Sequence, residues 1–89
     1  MRRSKLQVNI DILKVLAKNG EMIPTHLTYN TFLNNKSVKE SLQFLKRNKL
    51  VQINGEKRKK YEITSLGLKS LELAKKINAS LQVFEGLKP

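Results

Sequence analysis

The chain has 89 residues, of which 18 are Lys or Arg and 7 are Asp or Glu, so its formal net charge is +11. This length allows one small domain, residues 1–89, and excludes a large multidomain enzyme. With 39% hydrophobic residues the chain can bury a core, and without cysteine it forms neither a disulfide scaffold nor a thiolate zinc site.

The apolar stretches are too short to span a membrane, and no apolar segment follows the basic amino terminus as it would in a secretion signal. These features predict a soluble protein of the cytoplasm. Its positive field favours a polyanionic partner, with nucleic acid ahead of a membrane surface.

The positive charge is concentrated in the middle of the chain. Between Lys36 and Lys60 there are nine basic residues and two acidic ones, which is +7 in 25 residues. A surface that is charged only for solubility mixes its signs along the chain. The concentration therefore indicates an electrostatic footprint, and Arg2 and Arg3 add a smaller cluster at the amino terminus.

A first helix is predicted from an N-cap at Ser4 to a stop at Asn19-Gly20. Its apolar residues fall on two opposite faces, Leu6, Ile10, Leu13 and Ala17 on one and Val8, Ile12 and Val15 on the other. A helix that is apolar on two sides packs between other elements, so we expect it to have more than one packing partner.

A second, short helix is predicted to open at residues 22–25, with Pro24 in its first turn, and to end near Asn30 with Leu27 buried. The asparagine-rich stretch that follows favours a turn. We expect Phe32 and Leu33 to anchor this turn to the core.

A third helix is predicted from Asn35 or Lys36 to Asn48, with an apolar stripe that includes Val38, Leu42 and Leu45. The opposite face has no apolar residue and holds Lys36, Glu40, Gln43 and Arg47, flanked by Ser37 and Lys39. Phe44 projects off the apolar stripe, and we expect it to be buried against the preceding turn or the last helix.

The hydrophobic period then changes from 3.6 to 2, which predicts a β-hairpin. Its strands bracket Asn54-Gly55, a turn signal, and the basic run from Lys57 to Lys60. Thr64 is a candidate N-cap for a long last helix that runs from Ser65 to about Glu85 and stops at Gly86. The predicted fold class is mainly α with a small β-hairpin, in the order α-α-α-β-β-α.

Two helices joined by a short turn, the second with a polar basic face, fit a helix-turn-helix. In that motif the second helix lies in the major groove of DNA, and a hairpin directly after it would form a wing on the adjacent backbone or in the minor groove. The predicted contacts are Arg2, Arg3, Lys36, Ser37, Lys39, Gln43, Arg47, Lys57, Arg58, Lys59 and Lys60.

Three side chains of the third helix carry groups that suit base edges. Gln43 and Arg47 suit adenine and guanine. Glu40 can accept a hydrogen bond from cytosine, or it can pair along the helix with Lys36 or Gln43.

Residues 37–51, SVKESLQFLKRNKLV, resemble the recognition-helix-to-wing segment of small archaeal winged-helix transcription regulators. Residues 61–71, YEITSLGLKSL, are similar to the YxITxxGxxxL pattern of that group, and the resemblance covers nearly the whole chain. Many relatives have a glycine before the leucine where this chain has Asn48-Lys49, and we expect Asn48 to supply any left-handed turn needed there.

The resemblance implies winged helix-turn-helix proteins that bind DNA as homodimers, often joined through the last helix. The last helix itself, residues 66–85, has more apolar surface than its first turns can bury on the domain. The predicted dimer contacts are Leu73, Ile77, Leu81 and Phe84. Such a dimer would hold two recognition helices at a fixed spacing.

No catalytic or metal-binding constellation is visible in the sequence. His26 is the lone histidine, and the acidic residues do not form a catalytic pair. His26 could contact phosphate together with Thr25, Thr28 and Tyr29, or have a structural role. We therefore expect no enzyme activity, no cofactor, no metal and no small-molecule ligand.

These patterns predict a regulator of transcription that binds double-stranded DNA and is associated with the nucleoid. One alternative is a chromatin-like architectural protein that coats DNA with little sequence preference through the same surface. A second alternative is a protein-interaction module on a winged-helix scaffold, whose last helix pairs with a different protein. A membrane role is not expected, because the last helix lacks a polybasic face with bulky aromatic residues.

Overall fold

The computed structural model describes the backbone of residues 4–86 and the side chains of residues 4–77. Four helices and one antiparallel hairpin follow in the predicted order: α1 Lys5–Asn19, α2 Pro24–Thr31, α3 Asn35–Arg47, β1 Val51–Asn54, β2 Lys60–Ile63 and α4 Ser65–Gly86. The predicted fold class is confirmed. No helix in the described part of the chain is long and apolar enough to cross a membrane.

Helix α1 lies at the centre of the domain, where it contacts the other three helices and β2. Its N-cap is Ser4, whose Oγ accepts from the Gln7 N–H at 3.0 Å. Ile12 and Leu16 are fully buried, so the prediction of several packing partners is confirmed. The first turn lies outside the core, because Leu6 is 68% exposed.

Helix α2 begins at Pro24 and buries Leu27 completely. It ends at Thr31, and its C-cap Phe32 has φ 58° and ψ 26°, in the left-handed region. The expectation that Phe32 anchors the turn is wrong: its side chain is 90% exposed, and only Leu33 packs against the core. Because the left-handed residue reverses the chain direction, the next residue, Leu33, packs against the core in place of Phe32.

Helix α3 begins at an asparagine N-cap, since Asn34 Oδ1 accepts from the Ser37 N–H at 2.8 Å. The predicted stripe of Val38, Leu42 and Leu45 is buried. On the edge toward α1, the buried Ser41 hydroxyl donates to Asn9 Oδ1. The expected burial of Phe44 is wrong: it lies at the solvent edge of α3 with 47% of its surface exposed.

The turn after α3 depends on Lys49. Lys49 has φ 61°, whereas Asn48 has φ −92°, so the expectation that Asn48 supplies the left-handed residue is wrong. The Lys49 N–H donates to the Lys46 carbonyl at 3.0 Å and the Leu50 N–H to the Leu45 carbonyl at 2.9 Å. This pair of bonds is the Schellman arrangement, which requires the left-handed conformation one residue later than Asn48.

The hairpin pairs Val51 with Ile63 and Asn54 with Lys60. Its loop therefore comprises the five residues 55–59. Gly55 begins this loop directly after the last residue of β1, so Asn54-Gly55 does not form a two-residue turn. Gly55 has φ 89°, and a Cβ there would lie 2.5 Å from the Arg58 carbonyl oxygen, so the position requires glycine.

The first turn of α4 packs on the base of the hairpin. The predicted cap is confirmed: Thr64 Oγ1 accepts from the Gly67 N–H at 3.0 Å, and it also donates to the Lys49 carbonyl at 2.7 Å. A Cβ on Gly67 would lie 2.2 Å from the Leu50 carbonyl oxygen and 2.7 Å from Ile63 Cγ1. The absence of a side chain at Gly67 is what allows this approach.

We predict that Gly67→Ala destabilises the domain, although alanine is the better helix former by about 1 kcal/mol. The methyl group forces the start of α4 away from the hairpin, and overpacking of this kind costs about 1–3 kcal/mol. Thermal unfolding measures the loss. Lys69→Ala, at an exposed position of the same helix, is the control and should change stability by less than about 0.5 kcal/mol. An unchanged melting temperature for Gly67→Ala would contradict the close approach.

Candidate nucleic-acid interface

The buried stripe of α3 turns its opposite face to solvent. That face, here called the recognition face, comprises Lys36, Lys39, Glu40, Gln43 and Arg47, all of which are exposed. Ser37 lies beside it and is half-buried, because its N–H is held by the Asn34 cap. The structure therefore brings the helical site residues predicted from the sequence onto one surface.

The basic run of the hairpin divides into two parts. Lys57, Arg58 and Lys59 are exposed in the loop of residues 55–59, here called the wing loop. Lys60 belongs to β2, and its ammonium group lies 3.7 Å from the Glu21 carboxylate. Three of the four cations are thus free to project from the tip, while Lys60 contributes to the attachment of the hairpin.

Polar contacts attach the hairpin strands to the domain and to each other. Asn54 Nδ2 donates to Glu21 Oε2 at 3.0 Å and to Glu62 Oε1 at 3.1 Å, and Gln52 Nε2 donates to Glu62 Oε1 at 2.7 Å. The hydrogen bonds from Asn54 and then Gln52 favour the ionised carboxylate and hold the pKa of Glu62 below its ordinary value. This contribution to stability is present at neutral pH and is lost as the pH falls through the lowered pKa.

A short backbone pairing adds a third attachment. The Met22 N–H donates to the Tyr61 carbonyl at 2.9 Å, and the Tyr61 N–H donates to the Met22 carbonyl at 2.7 Å. This isolated bridge connects the segment before α2 with β2. The two strands of the wing are therefore held against the helix-turn-helix up to the start of the wing loop, and the wing loop projects beyond these contacts.

A shallow groove lies between the end of α3 and the hairpin. It is lined by three lysines, Lys46, Lys49 and Lys59, with Val51, Gln52, Ile53 and Thr64 as its floor and wall. We call it the lysine groove. It brings Lys46 and Lys49, at the end of α3 and just after it, next to Lys59 of the wing loop.

Lys46 and Lys49 were not among the contacts predicted from the sequence. The left-handed conformation of Lys49 places it after the end of α3. In the regulators that the sequence resembles, a glycine directly before the leucine is the signal for a left-handed residue at this position.

The remaining predicted site residues lie elsewhere. Arg2 and Arg3 lie outside the described residues. Of the four dimer positions, Leu73 is 59% and Ile77 is 54% exposed on α4. Leu81 and Phe84 belong to α4, but they lie outside the described side chains.

His26 is exposed on α2. In the part of the chain that the structure describes, no three His, Asp or Glu side chains gather into a group that could hold a metal ion.

A polar recognition helix, a basic hairpin directly after it and a helix that closes the hairpin define the architecture. The model of a protein family described as winged helix-turn-helix matches residues 2–82. The chain belongs to the winged helix-turn-helix family. A comparison with curated protein sequences gave no match.

Solved winged-helix structures share this fold. Sco5413, a MarR family transcriptional regulator from Streptomyces coelicolor, is similar with a TM-score of 0.77 and 20% identity over 91% of this chain and 59% of that protein. The PcaV transcriptional regulator of the same organism, in complex with its natural ligand, gives a TM-score of 0.75 and 19% identity over 91% of this chain and 61% of that one. This chain thus spans about three-fifths of the length of these regulators.

A third similar structure is a shorter protein. The Zalpha domain of PKZ from Carassius auratus, in complex with Z-DNA, gives a TM-score of 0.65 and 22% identity. The match covers 70% of this chain and 100% of that domain. At these identities the likeness establishes the winged-helix fold.

Proposed function

We propose that this winged-helix protein regulates transcription by binding double-stranded DNA, with α3 in the major groove and the wing on the backbone or in the minor groove. The observation that carries the proposal is the lysine groove, in which Lys46 and Lys49 from the end of α3 meet Lys59 of the wing loop, together with the exposed cations of the recognition face on the same helix. Two elements separated in sequence present their cations together, and both project into solvent.

The chemistry of this surface suits duplex DNA. The major groove is wide enough to admit an α-helix, and Gln43 and Arg47 carry the donors and acceptors that read adenine and guanine edges. Lys36 and Lys39 occupy the first turns of α3, where lysine ammonium groups neutralise phosphates. Lys57, Arg58 and Lys59 then extend the contact to the neighbouring backbone.

The similar structures support the same function. Two of them are transcriptional regulators and one holds Z-DNA. The proposed mechanism needs positioning and charge neutralisation alone, with no catalytic step, cofactor or small-molecule ligand. We infer from this mechanism that the protein is associated with the nucleoid.

We predict that removal of the wing cations lowers DNA affinity in a salt-dependent manner. In the variant Lys57→Gln, Arg58→Gln and Lys59→Gln, each lost phosphate contact reduces the slope of log K against log[salt] by about 0.9. Three lost contacts reduce it by about 2.7 per chain. Lys60 is retained because it pairs with Glu21. Fluorescence anisotropy with a labelled duplex at several salt concentrations measures the slope.

The control for this experiment removes the same net charge elsewhere. Lys14, Lys18 and Lys69 are exposed on α1 and α4, and their replacement by Gln should leave the slope within about one unit of the wild-type value. Equal losses in both triple variants would mean that net charge alone drives binding, which would contradict a wing contact.

We further propose that the protein is a homodimer joined through α4. Leu71 on this helix is buried in the domain, whereas Leu73 and Ile77 are more than half exposed. These two side chains lie one helical turn apart, so they form a single apolar strip. A second copy of α4 would remove that strip from water and set the spacing of two recognition faces.

Sedimentation equilibrium at tens of micromolar should show a dimer for the wild type and a monomer for Leu73→Ser with Ile77→Ser. Each substitution removes an apolar side chain whose burial contributes about 1.5–3 kcal/mol. Lys75→Ser with Lys76→Ser changes two exposed polar positions of the same helix and should leave the dimer intact. A monomeric wild type would contradict the proposed dimer.

A further inference from the structure

Helix α2 carries an exposed aromatic stripe that the proposed contacts do not use. Thr25, Thr28 and Tyr29 lie on one face of α2 by their spacing, and Phe32 follows as the C-cap of that helix. Tyr29 is 76% and Phe32 is 90% exposed. Together with Asn35 these residues line a shallow cavity, and we call this surface the aromatic stripe.

Phe32 is strained as well as exposed. Its φ of 58° lies in the left-handed region, where a bulky side chain is unfavourable and where glycine or asparagine is relaxed. The ring is 90% exposed, so packing within the domain does little to offset the strain. The turn after α2 needs a left-handed residue but not a phenylalanine, so the strained side chain indicates a role outside the isolated domain.

The aromatic stripe is attached to the start of α3. The Thr28 hydroxyl lies 3.1 Å from both the Pro24 carbonyl and Asn35 Oδ1, and its contact with Asn35 connects α2 with the first residue of α3. Lys36 of the recognition face is the next residue along α3. The stripe therefore reaches the amino-terminal end of α3.

The segment that carries the aromatic stripe is neutral to positive. From Met22 to Lys39 the sequence contains no acidic residue, while His26, Lys36 and Lys39 lie within that span. Thr25 and Tyr29 also provide exposed hydroxyl donors at the surface. Apolar rings with hydroxyl donors and cations at their border match the sugar-phosphate backbone, which presents deoxyribose carbons between phosphates.

We propose that the aromatic stripe is an accessory DNA contact, in which the Tyr29 and Phe32 rings pack against deoxyribose groups of the DNA strand that borders the major groove occupied by α3. The Thr25 and Tyr29 hydroxyls donate to the phosphates of that strand. This inference rests on the proposed DNA-binding function and extends the contact from α3 and the wing to α2. Because ring burial releases no counterions, its contribution to affinity is independent of salt.

The substitution Phe32→Asn separates the role in binding from a role in folding. Asparagine adopts the left-handed conformation readily, so the variant should melt at a higher temperature than the wild type. At the same time it should bind duplex DNA about tenfold more weakly at every salt concentration, with the slope of log K against log[salt] unchanged. Phe32→Tyr keeps the ring and should retain wild-type affinity.

The matched control is Lys49→Asn, at the other non-glycine residue with positive φ. It relieves the same kind of backbone strain, so it should also raise the melting temperature. It removes a cation from the lysine groove, however, so its loss of affinity should come with a slope smaller by about 0.9. The two variants thus share their effect on stability and differ in the salt dependence of binding.

Three outcomes would overturn the inference. If Phe32→Asn binds DNA as tightly as the wild type, the stripe is not a contact, while the wild-type binding still supports the proposed function. If the variant loses affinity because it no longer sediments as the wild-type oligomer, the stripe covers a second protein chain. If the wild type binds no duplex at all, the proposed function fails and this inference with it.

Discussion

The burial of one face of α3 determines where the cations of this domain face solvent. Val38, Leu42 and Leu45 are each at most 2% exposed, and burial of such side chains contributes about 1.5–3 kcal/mol apiece. Rotation of α3 about its axis would bring charged residues into the core, where unpaired charge is very costly. The apolar stripe therefore fixes the direction of the recognition face, and the Ser41–Asn9 hydrogen bond fixes the edge toward α1.

The position of the wing also depends on α3. The Schellman turn at Lys49 ends α3 and directs the chain into β1, and Thr64 bonds back to the Lys49 carbonyl where α4 begins. Gly67 lets α4 approach the Leu50 carbonyl, while Glu21 and Met22 hold the other side of the hairpin. Cations at the wing tip repel one another, and solvent exposure screens that repulsion. The wing strands are thus held by contacts with the domain, and the cations of the wing loop lie in solvent, where their mutual repulsion is screened.

Periodicity in the sequence was sufficient to predict the element order, the caps at Ser4 and Thr64, and the polar face of α3, because these features depend on local spacing. It failed at Phe32, Phe44 and Lys49. Hydrophobicity alone assigned both phenylalanines to the core, but Phe32 follows a left-handed reversal and Phe44 lies at the edge of its helix. Attachment of the wing through Glu21 was also missed, since Asn54 and Glu21 are 33 residues apart. Contacts of that kind depend on the tertiary fold.

Selection of bound fragments from random duplex DNA tests whether α3 reads base edges in the major groove. Run in parallel with wild-type protein and Gln43→Ala, the selection should give a two-fold symmetric motif for the wild type. The variant should give the same motif with relaxed preference at one position per half-site, by about 1–3 kcal/mol. A flat selection for the wild type, or identical motifs for both proteins, would contradict the claim.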